Sequence, residues 1–431
     1  MIKYKVLQLS LAGAMLFAVM TLNAQDVNYA RHQLNTLCSP EFYGRAYFHK
    51  GDSLASEYIS SELKKQGVKP FGQTLFQPYS FGVNILEEVS VKINSKEFKF
   101  GKDYMMDASS GSSSGIFRPL MANATLMKNP QKLLDSVVSN SCHNDVIVLD
   151  STGLKNPELY RFLKTFILNG MTKSSGLIEI TPKIGIGLVG DKELPVSHVQ
   201  IDSKVMPESL TNVELNIRNR FDADYSTRNV IGYIPGQTDK FIVFTAHYDG
   251  IGSFGNGNYF PAASDNASGT VMVMDLARYF ANGKKPYYNI AIMLFSGEEA
   301  GLLGSSYYAD HPLFPLDKIK LVINLDMVGT GQEGVVLFNG TERPIETSIA
   351  QSINEEKQYM KSIDVVGPAA NSDHHPFHLK NVPAIFFLTK GPSGGGHNTG
   401  DTFDKLPLYS YNNLFRLVLD MIKELENQEL K

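Results

Sequence analysis

Cysteine is nearly absent from this chain: Cys38 and Cys142 are the only two in 431 residues. No thiolate cluster can hold a metal and no cysteine framework can staple the fold, so any metal centre must draw on histidine and carboxylate. The two cysteines allow one disulfide in an exported protein, or serve as small buried side chains. An excess of positive charge is also missing. The formal net charge of −4 leaves no electrostatic footprint for nucleic acid. Long apolar runs are confined to the N-terminus, so no second stretch is long enough to span a bilayer. No repeat at a fixed period is present. With 43% hydrophobic and 19% charged residues, the composition fits neither a disordered chain nor a multi-span membrane protein.

The one long apolar run has a clear reading. Lys3 and Lys5 precede apolar residues from Val6 to Leu22, ending at Asn23-Ala24. This is the pattern of a secretory signal, residues 1–24, cleaved after Ala24 and sending the protein to the periplasm or outside the cell. Leu22 stands where a small residue is preferred, so an uncleaved anchor is the alternative. No cysteine directly follows the run, which argues against a lipoprotein.

At 431 residues the chain is long enough for two domains, or for one large α/β domain with an insertion. Apolar spacing predicts helices over Asn28–Leu37 and Asp52–Gln66, the second closed by Gly67. Residues 84–225 change texture to short strand-like runs such as Val89–Ile93 and Asp145–Leu149, and read as a strand-rich insertion. From Asn229 onward, buried-strand runs (Phe241–Phe244, Asn289–Phe295, Leu321–Leu325, Ala384–Phe387) alternate with helical segments near Ala267–Ala281 and Leu408–Asn427. Runs of this kind require strands covered on both faces, hence an α/β fold with a sheet sandwiched by helices.

Metal-ligand residue types fall just past the ends of these strands, where loops of an open α/β sheet converge. His247 follows the first strand, and Asp249 is placed to fix its tautomer. Asp265 precedes a helix, where it reads either as an N-cap or as a carboxylate bridging two cations. Glu298 and Glu299 follow the next strand. Either they complement a helix dipole, or one ligates a metal while the other faces a water. Asp326 ends an apolar strand, where a carboxylate is costly unless paired or solvated. His397 lies in the loop Gly391–Asp401, with Asp401 as a candidate partner. Singly, each residue is a weak signal; jointly, in separate strand-end loops, they specify a site. Two His and three carboxylates suit zinc, with cobalt or manganese as substitutes.

At these residues the sequence resembles the zinc-dependent aminopeptidase family, which also includes glutamate carboxypeptidases and, as relatives, glutaminyl cyclases. The matching segments are His247-Tyr248-Asp249, Ser264 to Gly269, Gly297 to Leu302, Asn324 to Met327, Ser372-Asp373-His374 and His397 to Thr402. The resemblance implies two zinc ions, with Asp265 bridging, His247 and Asp326 on one, and Glu299 and His397 on the other. It also implies Glu298 as general base, Asp249 orienting His247, and a mixed, mostly parallel sheet. Residues 25–83 plus 226–431 would form the catalytic domain, and 84–225 a protease-associated-like insertion. The activity implied is removal of N-terminal residues from peptides. A glutaminyl cyclase and a non-catalytic ectodomain are the alternatives. One departure stands out: some relatives carry Tyr directly before the last His ligand, and here that residue is Gly396. Tyr248, Tyr259 and His374 lie within or near the matched loops as candidate oxyanion donors.

Two further patterns lack their context. Gly111-Ser112-Ser113-Ser114-Gly115 fits a serine-hydrolase elbow without the strand and helix it needs. Gly185-Ile186-Gly187-Leu188-Val189-Gly190 fits a dinucleotide fingerprint, but no helix opens after it.

Overall fold

The computed structural model describes residues 27–122, 135, 145–152, 156–185, 187–255, 257–392 and 395–431. The secretory signal and Cys142 lie outside them. Among the described residues no helix is long and apolar enough to cross a membrane.

In chain order the helices are α1 (Val27–Leu37), α2 (Gly51–Gln66), α3 (Pro157–Leu168), α4 (Ser268–Asn282), α5 (Leu303–Asp310), α6 (Pro344–Lys357), α7 (His374–Leu379) and α8 (Tyr411–Leu430). The strands that organise the sheet are β1 (Phe76–Ile93), β2 (Lys96–Glu97), β3 (Tyr104–Met106), β4 (Ser113–Ala122), β5 (Asp145–Asp150), β6 (Gly176–Thr181) and β7 (Ser197–Asp202). They continue with β8 (Val213–Ile234), β9 (Phe241–His247), β10 (Asn289–Phe295), β11 (Ile319–Leu325), β12 (Gly334–Phe338), β13 (Ile363–Val365) and β14 (Ala384–Lys390).

Four strands, in the order β14-β11-β9-β10, are mutually parallel and form the centre of the sheet. Beyond them, β8 joins β10 and β12 joins β14, both antiparallel, which makes the sheet mixed but mostly parallel at its core. The alternation along β9 shows why its residues are apolar without interruption. Ile242, Phe244 and Ala246 face a core shared with α1, α2, α4 and α8, while Val243 faces a second core with Tyr308 and Phe377 from the opposite layer. A strand covered on both faces has no solvent side on which to place charge. Gly67 ends α2 with φ +89°, a left-handed cap in which its N–H bonds the Leu63 and Lys64 carbonyls.

The segment between residues 84 and 225 builds a second set of strands, β4 to β7, also parallel, with β3 antiparallel on the far edge. It contains α3, absent from the sequence reading, which packs Leu163 and Ile167 on Ile147, Leu149 and Leu177. β1 and β8 pair over almost their whole lengths, so positions 84 and 225 fall inside continuous strands. β8 pairs with β10 near its end and with β4 near its start, which makes one hydrogen-bonded sheet run through both parts.

A buried ionic cluster ties β6, β7 and the segment after β3 together. The His198 ring lies 2.9 Å from Glu179 and 3.1 Å from Asp107, and Lys164 and Tyr160 on α3 also reach Glu179. Burial alone would lower the His198 pKa, but the Asp107 and Glu179 carboxylates outweigh it and raise it above 6.5. Burial would likewise raise Glu179, yet His198, Tyr160 and Lys164 bring it down to about 2. The raised histidine contributes stability fully below its unfolded value of 6.5 and loses it as pH climbs through the folded value. The depressed glutamate contributes above 4.5 and loses it as pH falls toward 2. His198→Gln should therefore cost about 2 kcal/mol at pH between 4.5 and 6.5 and less at higher pH. Urea unfolding followed by circular dichroism across pH checks this; a pH-independent difference would refute it.

Candidate active site

β9 goes to β10 on one side, whereas β11 and then β14 lie on the other, so the crevice between β9 and β11 is a topological switch point. β9 ends at His247, and Asp326 directly follows β11. His247 Nε2 lies 3.4 Å from both Asp265 Oδ1 and Asp326 Oδ1, and 3.8 Å from Glu298 Oε2. His397 Nε2 lies 2.9 Å from Glu299 Oε2 and 3.1 Å from Asp265 Oδ2. The two Asp265 oxygens thus face different histidines. All five ligand candidates and Glu298 come together in one crevice.

The supports differ in detail from the sequence reading. His247 Nδ1 lies 3.3 Å from the main-chain oxygen of Asp249 and 3.6 Å from its carboxylate. That carboxylate also accepts the N–H groups of Glu298 and Glu299, 3.3 Å each, and so ties the β9 and β10 loops together. Asp401 does not pair with His397. Its carboxylate accepts the Ser264 and Asp265 N–H groups at 3.0–3.2 Å and holds the Asp265 loop instead. Asp265 makes no side-chain cap to α4, which removes the capping alternative. Asn266 takes over the anchoring: it bonds the Leu325 carbonyl and accepts the Gly269 and Met327 N–H groups. Helix α5 begins at Leu303, past the Glu298-Glu299 pair, so a helix-dipole role for that pair also falls away.

Electrostatics show what the crevice needs. Burial, then Glu299 and Asp326, push the Glu298 pKa well above the usual carboxylate range, against the pull of His247. Burial and Asp265 raise Glu299 to about 7, although His397 opposes them. Burial also raises Asp373, just before α7, to about 7, although Ser305 opposes it, and Glu299 Oε1 is buried without a hydrogen-bond partner. Buried acids at this density, outnumbering the two histidines beside them, call for cations. Among the described residues two groups have metal-ligand spacing: His247, Asp265 and Glu299, and His247, Glu298 and Asp326. The donor set therefore fits divalent metal on geometry, burial and orphaned lone pairs alike.

Two residues with evident consequence for the site carried no role in the sequence reading. Asp373 is one, although its segment was matched. Arg45 is the other. It is fully buried, and its guanidinium donates to the carbonyls of Leu37, Tyr248, Pro261 and Ala262 at 2.7–2.9 Å. It thereby clamps the His247 and Asp265 loops from beneath. Nothing local in the sequence marks Arg45, because its partners lie up to 217 residues away. Position 396 is explained by space: a Cβ there would stand 2.3 Å from Asp265 Oδ2, so no side chain fits in this loop. Of the oxyanion candidates, Tyr248 is fully buried and donates to the Arg228 carbonyl. His374 is buried against Phe386, and burial with the neighbouring His375 and His378 lowers its pKa to about 3, leaving a neutral ring.

Residues 229–422 match the model of peptidase family M28. That segment resembles a peptidase M28 domain. It contains all six residues of the crevice. Aminopeptidase YwaD of Bacillus subtilis is 27% identical over 310 residues, 68% of this chain and 63% of that protein. Leucine aminopeptidase 2 of Arthroderma otae is 29% identical over 216 residues, 46% of this chain and 42% of its own. The chain thus spans less than two thirds of these curated relatives. The solved structure of a zinc aminopeptidase from Bacillus subtilis superposes with a TM-score of 0.67 at 17% identity, covering 94% of this chain and 95% of that one. That likeness establishes a shared fold, helix-flanked mixed sheet included.

Arg45→Met should leave four buried carbonyls without their donor and destabilise the fold by about 3 kcal/mol or more. Urea unfolding checks this, and a loss under about 0.5 kcal/mol, the range of an ordinary surface change, would contradict it.

Proposed function

We propose that this protein is an exported aminopeptidase that works with two zinc ions, one held by His247 and Asp326, the other by Glu299 and His397, with Asp265 shared. The observation that carries the reading is the division of labour at Asp265, whose two oxygens address the two histidines separately. The M28 match, the named activities of its relatives and the zinc of the Bacillus subtilis structure support it. Residues 84–225 would be a protease-associated-like insertion, and peptides the substrates.

Bound zinc would supply Lewis acidity toward the scissile carbonyl and lower the pKa of an attacking water. The chain supplies the rest. Glu298 accepts a proton from water as its oxygen attacks the peptide carbonyl carbon, and delivers that proton to the departing amine as the C–N bond breaks. Asp249 holds the Glu298 main chain in place. With Gly396 where some relatives carry Tyr, oxyanion stabilisation would fall chiefly to metal.

Glu298 is also within ligand distance of His247 and Asp326, and one substitution separates the two roles. Glu298→Gln should retain both zinc ions while kcat on aminoacyl substrates falls by about 100- to 10,000-fold. Elemental analysis and amino-acid release check this. Loss of one zinc would make Glu298 a ligand, and full turnover would remove it from the chemistry.

A further inference from the structure

The glycines at 185, 187 and 190 that imitate a dinucleotide fingerprint have a different purpose here. Each lies against something that leaves no room for a Cβ: 2.7 Å from Gln200 Oε1 at Gly185, 2.7 Å from Phe260 Cζ at Gly187, 2.5 Å from the Ala108 carbonyl at Gly190. The segment is anchored at both ends within the insertion. Gly185 N–H bonds Gln200 Oε1, and the Gly190 carbonyl accepts the Asn84 N–H at 2.9 Å. Between these anchors, Gly187 donates its N–H to the carbonyl of His397 at 3.1 Å.

His397 needs such a hold. It reaches Asp265 and Glu299 from a left-handed backbone, φ +57°, which is uncommon for a non-glycine residue and costs about 1 kcal/mol. Asn398 braces the loop internally, bonding the Gly395 and Gly396 carbonyls. The insertion braces it from outside, and at a second point as well: Gly101 lies so close to Thr399 that a Cβ would stand 2.5 Å from Oγ1. Ile251, Phe254 and Phe260, which follow β9, belong to the same core as the insertion residues Val146, Ile178 and Val199. The insertion is therefore packed rigidly to the site's rim.

We infer that the insertion is a positioning element for one metal ligand, with the glycine segment around Gly187 setting His397 through its main-chain carbonyl. This rests on the two-zinc reading above. Gly187 does not adopt the left-handed region, so alanine is conformationally allowed there. The obstruction is steric, from Phe260 Cζ and Cε1 at 2.7 and 2.8 Å and Ile251 Cγ2 at 3.1 Å.

The test is zinc titration of metal-free protein in competition with a chromophoric chelator, on wild type, Gly187→Ala, Phe260→Leu and the double variant. Wild type should bind two zinc ions. Gly187→Ala should bind one with unchanged affinity and the other about tenfold or more weakly, with kcat restored by excess zinc. Removing the ring tip in the double variant should restore the second affinity, and Phe260→Leu alone should bind both ions normally. Unchanged binding by Gly187→Ala, equal weakening of both sites, or failure of the double variant to recover would overturn the inference while leaving two-zinc binding intact. A wild type that binds fewer than two zinc ions would instead remove the reading on which it stands.

Discussion

The carboxylates of Asp249, Asp265, Glu298, Glu299, Asp326 and Asp373 crowd into a buried crevice at the ends of parallel strands, and their mutual repulsion is the constraint around which this structure is organised. In a low-dielectric interior such a group must be protonated, bonded or countered by cations. The positive groups nearby are few: Arg45 is committed to four main-chain carbonyls, which leaves His247 and His397 beside the carboxylates. The backbone is correspondingly well braced. Asp249 binds the N–H groups of the β10 loop, Asp401 those of the Asp265 loop, and Asn266 joins that loop to the end of β11. Repelling charges stay together because the chain that carries them cannot relax apart.

Much of this was legible in the sequence, for a definite reason. The strands β9, β10, β11 and β14 are buried on both faces, so each is a continuous apolar run whose end is visible, and the site residues fall at or shortly after those ends. What was not legible depends on distant partners. Arg45 has no local signature, since its role lies in carbonyls brought to it by folding. Asp401 sits four residues from His397 in sequence yet turns toward Ser264 and Asp265, because the left-handed backbone at His397 separates neighbours that look paired on paper. The edges read at 84 and 225 do not coincide with a change of element, because β1 and β8 run on through both positions.

Residues 84–225 and the rest of the described chain share a sheet and a hydrophobic core, which gives the combination its mechanical sense. A loop rich in glycine, like the one that carries His397, is adaptable but poorly fixed by itself. Contacts at Gly187 and Gly101 supply the fixing from a rigid neighbour. The glycine spacing that resembles a nucleotide motif is thus accounted for by close approach.

The central claim is that Asp265 is shared by two metal ions, and the zinc stoichiometry of Asp265→Asn tests it most directly. The account predicts two zinc ions per wild-type chain and loss of tight binding at both positions in the variant, measured by elemental analysis after dialysis. A variant that keeps one zinc as tightly as wild type would contradict it.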